Sequence, residues 1–398
     1  MNSNIYFKIN QILIYLKQFS SIYTIIAYVV LIFIIANKLL STYVIPQIDL
    51  AKHVFQTLAT IIAIINLGIF AKQKQYSLIL LALIALSLGI CIKICSTNNV
   101  ILAFVIYGVA FSRLNYRYVI YIYLATVLIS SLIIGIFFFL ELSDELPFVV
   151  RDNVLREAFG FKHANAFSAE IFFLCLSFWC LKNSNIHNIL SIIICVFCFF
   201  FVKKYTLSRT PQIMLCLLFI ITVVYEIYYY LKCDLSKFFT AKLIKNFMIV
   251  SFGLIAIFII LLSYFYNPNV NILNSLNNIL SYRLSFSYKS FDYYGITFFG
   301  QNLILSDSDP YYLDSIQVVR FIPLDSFYIW TLVCFGIVSL AIFAFCSAII
   351  TYKSISNGVY KIAIALFCIS LYALLENFIS SICFNVFYYM WMMSFHKR

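Results

Sequence analysis

Charged residues are scarce in this chain of 398 residues: 11% are Asp, Glu, Lys or Arg, whereas 64% are hydrophobic. A soluble protein of this length needs more polar side chains than that to cover its surface. The mean hydropathy of +0.99 also indicates too little polar surface for a soluble protein. The composition therefore excludes a soluble enzyme and predicts a polytopic membrane protein, of the all-α class, built as a bundle of transmembrane helices.

Long apolar runs fill most of the chain, and a spanning helix needs about 20 mainly apolar residues. We count twelve runs, at 22–45, 54–71, 77–95, 100–112, 117–140, 164–181, 186–202, 211–231, 246–266, 326–350, 359–381 and 383–395. The runs 100–112, 186–202 and 383–395 are short, so ten to twelve spans are expected. No cleavable signal peptide is evident, and the chain is interpreted as one integral membrane domain, 1–398.

Glycine and proline are also scarce, with ten and six residues, and no proline lies deep in a predicted span. Secondary transporters commonly build midplane sites from helices broken by paired Gly or Pro in two related halves. That signature and an internal repeat are both missing from the sequence. A carrier, such as a flippase for lipid-linked oligosaccharides, therefore stays only as an alternative.

Most of the twelve cysteines lie inside apolar runs, where a thiol behaves as a small hydrophobic group. The spacing of Cys195 and Cys198 imitates a CxxC motif, but no second pair or histidine accompanies it. Asp307 and Asp309 alone are weak support for a cation site. We therefore predict neither a metal nor a cofactor.

Two polar stretches, 141–163 and 266–325, each carry five of the fifteen acidic residues. With the amino terminus inside, the inner loops hold most of the Lys and Arg, among them Lys353 and Lys361. This satisfies the positive-inside rule and puts both polar stretches outside. The net charge of +12 then faces anionic lipid, so no nucleic acid is expected as a partner. If the protein does chemistry, the two outer loops are the predicted cleft.

The first outer loop ends with Arg156, Gly160, His163 and Asn165, directly before an apolar helix. A helix N-terminus offers free N–H donors and partial positive charge, so a phosphate could bind there with His163 and Arg156. The alternative is that Asn165 only caps the helix and His163 is merely interfacial.

A second cationic cluster, with Lys203, Lys204, Ser208, Arg209 and Thr210, lies between two spans on the predicted outer side. Arginine grips phosphate with two parallel hydrogen bonds, and hydroxyls complete such a site. The alternative for the lysines is snorkelling towards lipid headgroups.

Aromatic and charged residues mark the long outer loop. Planar aromatic and polar groups are typical of carbohydrate-binding clefts, but an ordinary solvated loop with an interfacial aromatic belt is the alternative. The candidates are Tyr282, Arg283, Tyr288, Tyr293, Arg320 and Asp325.

Three acids, Glu170, Glu226 and Glu376, fall within predicted spans. A carboxylate near the bilayer centre costs about 2.5–3.5 kcal/mol, so it usually faces the bundle interior with a partner. For Glu376 we consider pairing with an outer arginine or a buried, protonated structural role. Glu170 is expected near enough to the outer surface to be solvated.

Together these features resemble the bacterial O-antigen and capsular polysaccharide repeat-unit polymerases of the Wzy type, whose close relatives in architecture are the O-antigen ligases. The resemblance covers roughly residues 100–390. It is carried by Gly160, Phe161, His163 and Asn165, by Ser208 to Thr210, by Arg283 and Leu284, by Phe299 and Gly300, by Leu324 to Tyr328, and by Glu376 and Asn377. Ala164 stands where this family commonly has proline.

The resemblance implies a glycosyltransferase of the bacterial inner membrane, with its active face towards the periplasm and undecaprenyl-diphosphate-linked oligosaccharides as substrates. A chain-length regulator is the implied protein partner, beside membrane lipids. Arg209 and Arg283 would stabilise the charge on the departing diphosphate. His163 would act as general base, and Asp325 or Glu376 are the alternative bases. The residues expected to bind substrate are Arg156, Asn165, Lys204, Ser208, Tyr282, Tyr288, Tyr293 and Arg320. An O-antigen ligase and a non-enzymatic scaffold of a polysaccharide export system stay as alternatives.

Overall fold

The chain folds into a bundle of helices, and its computed structural model describes residues 3–40, 49–140, 149–151, 154–161, 163–182, 184–231, 235–303 and 324–395. The helices and the two short strands are, in chain order, α1 Ser3–Leu40, α2 Asp49–Lys72, α3 Tyr76–Ser96, α4 Val100–Ala110, α5 Tyr116–Phe139, β1 Val149–Arg151, β2 Val154–Arg156, α6 Ala164–Leu181, α7 Asn185–Phe201, α8 Arg209–Tyr230, α9 Leu235–Thr240, α10 Lys242–Tyr264, α11 Asn271–Ile279, α12 Arg283–Tyr294, α13 Phe327–Ser356 and α14 Tyr360–Tyr372. A π-helical turn, Val202–Thr206, joins α7 to the loop before α8, and 3₁₀ turns occupy Phe378–Ser380 and Phe387–Met390.

Within these described ranges, nine helices are long and apolar enough to cross a membrane. Two further apolar helices, Val100–Ala110 and Tyr360–Tyr372, are shorter. The prediction of a polytopic helical membrane bundle is confirmed, and eleven of the twelve predicted runs correspond to one of these helices. The apolar composition that marks each run also supplies its lipid-facing surface, because many large hydrophobic side chains remain exposed on the outside of the bundle.

Helix α14 stands at the centre of the carboxyl-terminal half, packed against α6, α8, α10 and α13. The amino-terminal half, α1 to α5, joins it through α5 on α6 and α3 on α13. We call the end of the bundle at which α6 and α8 begin the site end, and the other end the opposite end. The site end is the one that the positive-inside rule predicts to be outside.

Helix α13 reverses direction at Gly336, where φ is 82° and ψ is 176°. The rings of Phe327 and Phe343 lie 4.9 Å apart between centroids, whereas sixteen residues of straight helix would separate them by about 24 Å. The segment after α12 pairs with the bend: Ile337 N donates to Thr297 O over 3.0 Å. The predicted span 326–350 is present as a helix able to cross a membrane, but it is bent at Gly336, and its first arm, 327–335, runs back towards the site end.

Gly336 is required at this bend for two reasons. Its positive φ is in the region that favours glycine, and a Cβ there would overlap the carbonyl of Phe298. Gly300 is equally close to the α13 backbone, since its Cβ would lie 2.5 Å from Cys334 O. The pair of glycines lets two backbones meet inside the bundle.

The carboxyl-terminal segment 373–395 crosses the bundle without forming a long helix. It starts where Ala373 O accepts from Phe327 N over 3.0 Å. It finishes beside the start of α5, where the rings of Phe395 and Tyr116 are 5.0 Å apart. The predicted helical span at 383–395 was therefore wrong, and the predicted span 359–381 is helical only to Tyr372.

Irregular backbone at membrane depth is tolerated only where protein surrounds it and its polar groups are bonded. Here side chains of the surrounding helices supply those bonds: Tyr123 Oη donates to Phe384 O over 2.6 Å, and Lys353 Nζ donates to Trp391 O over 3.2 Å. Gly108 of α4 makes room for the Trp391 indole, which a Cβ would overlap. The segment is thus an interior element of the bundle.

Candidate functional site

The most polar interior contact at the site end is centred on Arg283, the first residue of α12. Its Nε donates to Asp325 Oδ2 over 3.1 Å, and its Nη2 donates to Glu376 Oε1 over 2.9 Å. Its Nη1 donates to Thr210 Oγ1 over 3.3 Å. The expected pairing of Glu376 with an arginine of the outer loops is therefore present, and we call these four residues the Arg283 cluster.

Local chain geometry brings the Arg283 cluster together. Ser281 and Tyr282 both have positive φ, 55° and 65°, and this turn between α11 and α12 points the start of α12 into the bundle. Asp325 stands directly before Ser326, the N-cap of α13. Glu376 follows the end of α14, because that helix stops at Tyr372.

Exposure differs within the Arg283 cluster. The side chains of Arg283 and Glu376 are 16% and 6% exposed, but that of Asp325 is 46% exposed. Burial raises the pKa of Glu376 to about 7, with Arg283 acting in the opposite direction. Burial lowers the pKa of Arg283, but Glu376 and Asp325 outweigh it and the net shift is upward. The Arg283 cluster thus has a buried floor, formed by Arg283 and Glu376, and an accessible carboxylate, Asp325, at its mouth.

A second network surrounds Arg156, the last residue of β2. The guanidinium donates to Thr206 O over 2.7 Å, to Asn165 Oδ1 over 2.6 Å and to Ser208 Oγ over 2.8 Å. The hairpin of β1 and β2 holds Arg156 opposite Val149. Arg156 is 3% exposed, so its donors serve to fasten the starts of α6 and α8 together.

Four helices begin within these two networks: α6 at Ala164, α8 at Arg209, α12 at Arg283 and α13 at Phe327. The first turn of each carries the partial positive charge of its helix dipole, although some of its N–H groups are already bonded, such as Asn165 N and Phe327 N. Together with the arginines, these helix ends make the site end favourable for an anionic group.

His163 is the N-cap of α6, and its Nδ1 accepts a hydrogen bond from Asn165 N over 3.1 Å. In neutral imidazole only one nitrogen carries the proton, so this bond puts the proton on Nε2. Partial desolvation lowers the pKa of His163 and the charge of Arg156 does the same, while Asp325 opposes them. His163 is exposed, and in this arrangement it offers an N–H donor to a ligand.

Arg209 and Lys204 were both predicted as cationic contacts, and both side chains are exposed. Arg209 lies between Ser208 of the Arg156 network and Thr210 of the Arg283 cluster. In the described part of the chain, no hydrogen bond or ion pair engages its guanidinium. Lys204 Nζ instead lies 4.9 Å from the centroid of the Tyr205 ring.

The predicted sugar-binding aromatics are exposed but lie at increasing distances from the Arg283 cluster. Tyr282 caps α12 and is 57% exposed. Tyr288 and Tyr293 follow about 8 and 15 Å along the axis of α12, and each contacts another tyrosine ring, Tyr266 and Tyr294 respectively. Arg320 lies outside the described residues.

Thr210 was predicted as a hydroxyl of the cationic cluster before α8, but not as a contact of Arg283. Its hydroxyl accepts from Arg283 and joins α8 to the Arg283 cluster. A hydroxyl two residues after the helix N-cap was the available signal. Within the described ranges, no group of three or more His, Cys, Asp and Glu side chains is arranged to hold a metal.

Two predictions about interior charges were wrong. Glu170 is not solvated: it is 1% exposed, and its Oε1 accepts from Ser131 Oγ over 2.6 Å. Lys361, predicted in an inner loop, is 5% exposed at the start of α14. Surrounding helices pack over both side chains, a burial that sequence position alone does not reveal.

Lys361 forms a second buried cationic site, at the opposite end. Its Nζ donates to Trp179 O over 2.9 Å, to Lys182 O over 2.6 Å and to Asn188 Oδ1 over 2.6 Å. Asn188 Nδ2 in turn donates to Glu226 Oε2. We call this group the Lys361 cluster, and it ties α6, α7, α8 and α14 together.

Compared with known protein families, curated proteins and solved structures, the chain has no match.

Proposed function

We propose that the chain is a polysaccharide polymerase of the bacterial inner membrane, which joins undecaprenyl-diphosphate-linked repeat units of O-antigen or capsule at the periplasmic face. The observation that carries the proposal is the Arg283 cluster, in which a largely buried arginine, an exposed carboxylate and the starts of three helices, α8, α12 and α13, come together. Glycosyl transfer from a diphosphate needs a cation and a base, since the leaving group is anionic and the acceptor hydroxyl must lose a proton.

In the proposed reaction, a sugar hydroxyl of one lipid-linked unit attacks the anomeric carbon of the growing chain. A new glycosidic C–O bond forms while the bond from the anomeric carbon to the diphosphate oxygen breaks. The electron pair leaves with undecaprenyl diphosphate, and the hydroxyl proton passes to a carboxylate. Arg283 and Arg209 stabilise the charge on the departing diphosphate, because guanidinium groups match phosphate oxygens in geometry.

The geometry supports Asp325 as the base rather than His163. Asp325 is half exposed and accepts from Arg283 through Oδ2, so it can receive a proton from an incoming hydroxyl. His163 already uses the lone pair of Nδ1 on Asn165 N and carries its proton on Nε2. We assign His163 as a hydrogen-bond donor to the diphosphate and Glu376 as the buried acid that holds Arg283 in position.

A surface-polysaccharide gel from cells lacking this chain tests the proposal. Complementation uses wild type, Arg283→Ala, Arg209→Ala and, as the matched control, Lys204→Ala, all at equal protein levels. We expect a single repeat unit on the lipid core without complementation, and a ladder restored by wild type and Lys204→Ala but not by Arg283→Ala. An intact ladder without the chain would contradict a polymerase, and polymer stranded on undecaprenyl would indicate the ligase.

One observation favours a carrier as the second candidate. The first arm of α13 begins where α14 ends, so two half-helices meet at Ala373 and Phe327 beside the Arg283 cluster. Carriers use such discontinuous helices at their binding sites. A carrier would move intact lipid-linked units between leaflets and would release no undecaprenyl diphosphate, which an assay of that product distinguishes.

A further inference from the structure

An apolar groove of about 1100 Å³ opens between the opposite-end halves of α8 and α10. Helix α14 forms its floor, α9 contributes two phenylalanines, and aromatic side chains line much of it. Its lining includes Val224, Tyr228, Phe238, Phe247 and Phe367. This volume is slightly above the roughly 300–1,000 Å³ that small-molecule pockets occupy.

Both walls of the groove are helices long and apolar enough to cross a membrane, Arg209–Tyr230 and Lys242–Tyr264. An opening between two such helices faces the hydrocarbon of the bilayer. Val224 and Phe247 are 48% and 50% exposed, so an apolar chain can reach them from the side. The occupant is therefore a lipid tail.

One lysine lies at the opposite end of the groove, and two more lie near it in sequence. Lys242 lines it and is exposed, and Lys237 of α9 is exposed nearby in sequence. Lys245 lies 4.8 Å from the centroid of the Tyr352 ring. Along the described α8, α9 and α10, the one acidic residue is Glu226, which is bonded to Asn188. Positive charge next to an apolar groove is complementary to an anionic headgroup with acyl chains.

We propose that this groove binds one anionic phospholipid of the leaflet that faces the opposite end, which the positive-inside rule predicts to be cytoplasmic. The acyl chains fill the space between α8 and α10, and Lys242 binds the phosphate. The site is independent of the Arg283 cluster, which lies at the other end of the same helices.

Native mass spectrometry of the full chain in detergent, with dioleoyl phosphatidylglycerol or dioleoyl phosphatidylcholine added, tests this site. We expect one retained phosphatidylglycerol per protein, favoured about fivefold over phosphatidylcholine because a lysine near the membrane surface contributes that much. Val224→Trp, which fills the groove, should abolish retention of this lipid. Ile257→Trp is the matched control, since Ile257 is an exposed residue of α10 outside the groove.

Lys242→Gln separates the headgroup from the tails: it should remove the preference for phosphatidylglycerol while a lipid is still retained. Lys72→Gln, at the exposed end of α2, is its control. Equal retention by Val224→Trp and wild type would overturn the groove as the site. An unchanged preference in Lys242→Gln would overturn the role of the headgroup, and retention of neutral polyprenol in place of either phospholipid would overturn the proposed occupant.

Discussion

Two clusters with a cation at their centre lie at the two ends of the bundle, Arg283 at the site end and Lys361 at the opposite end, and they differ in what surrounds the cation. Lys361 is 5% exposed and gives its hydrogen bonds to two carbonyls and an amide. Arg283 is bound as fully, but one of its partners, Asp325, is 46% exposed. A closed cluster of this kind stabilises the fold, whereas an open one leaves charge available to a ligand.

The neighbours of the two clusters sharpen this difference. Exposed His163 and Arg209 lie beside the Arg283 cluster at the starts of α6 and α8. Around Lys361 the neighbours are aromatic: its Nζ lies 5.1 Å from the centroid of the Trp179 ring and 5.4 Å from that of Tyr225. Substitutions in the two clusters should therefore separate stability from activity.

The largest free-energy change is expected for Lys361→Met. It leaves Trp179 O, Lys182 O and Asn188 Oδ1 without their donor, and each buried acceptor left unsatisfied costs about 1–3 kcal/mol. We expect a markedly lower melting temperature, measured by thermal unfolding in detergent, with activity per folded molecule retained. Lys72→Met, exposed at the end of α2, is the control. An unchanged melting temperature would contradict a structural role for Lys361.

Arg283→Ala should lower activity strongly and stability less, the reverse of Lys361→Met. Loss of a preorganised group that stabilises transition-state charge lowers kcat about 10²- to 10³-fold. The wider mouth of the Arg283 cluster lets water reach Glu376, so the melting temperature should fall less than in Lys361→Met. Polymer formed per folded protein is the measurement. Arg283→Lys restores charge without the guanidinium fork and should recover little activity. Full activity of Arg283→Ala would remove the cluster from the reaction.

A smaller effect is expected for Arg209→Ala, because this exposed side chain has no described partner to lose. We expect activity to fall about tenfold, a typical value for one charge-assisted contact of about 1.4 kcal/mol, with the melting temperature unchanged. Lys204→Ala, five residues earlier and over the Tyr205 ring, should stay within about twofold of wild type. Equal losses for both variants would indicate a general surface-charge effect.

The smallest change concerns pH. The pKa of Glu376 in the folded protein, about 7, lies above its ordinary value of 4.5, so the folded state holds the proton more tightly. The contribution of Glu376 to stability is then fully present below pH 4.5 and is lost as pH rises through 7. The melting temperature of wild type should fall over this window more than that of Glu376→Gln. Parallel pH profiles for the two proteins would contradict a raised pKa at Glu376.

Apolar runs were sufficient to predict most of the helices, since run length and hydrophobicity determine what can cross a bilayer. They failed at Gly336, because a glycine in an apolar run also fits a straight helix, and only the contact with Thr297 and Phe298 reveals the reversal. They failed again at 383–395, where the composition suits lipid but the segment is enclosed by protein. Composition cannot distinguish an apolar segment that faces lipid from one that is enclosed by protein.

The sequence predicted which residues belong to the candidate site better than it predicted how they are arranged in space. Arg283 is 42 residues from Asp325 and 93 residues from Glu376 in sequence, and the loop turn at Ser281 and the end of α14 bring the three together. Arg156 was expected to meet substrate, but burial and its bonds to Asn165 and Ser208 make it a fastening group. Which arginine is open and which is enclosed depends on tertiary packing.

The most direct test of the account is chain extension by the purified protein in lipid vesicles, supplied with undecaprenyl-diphosphate-linked units isolated from cells that lack the chain. The account predicts that wild type and Lys204→Ala lengthen the glycan and release one undecaprenyl diphosphate for each bond formed, while Arg283→Ala does neither. Units left unextended by folded wild type, or extended equally by Arg283→Ala, would contradict glycosyl transfer at the Arg283 cluster.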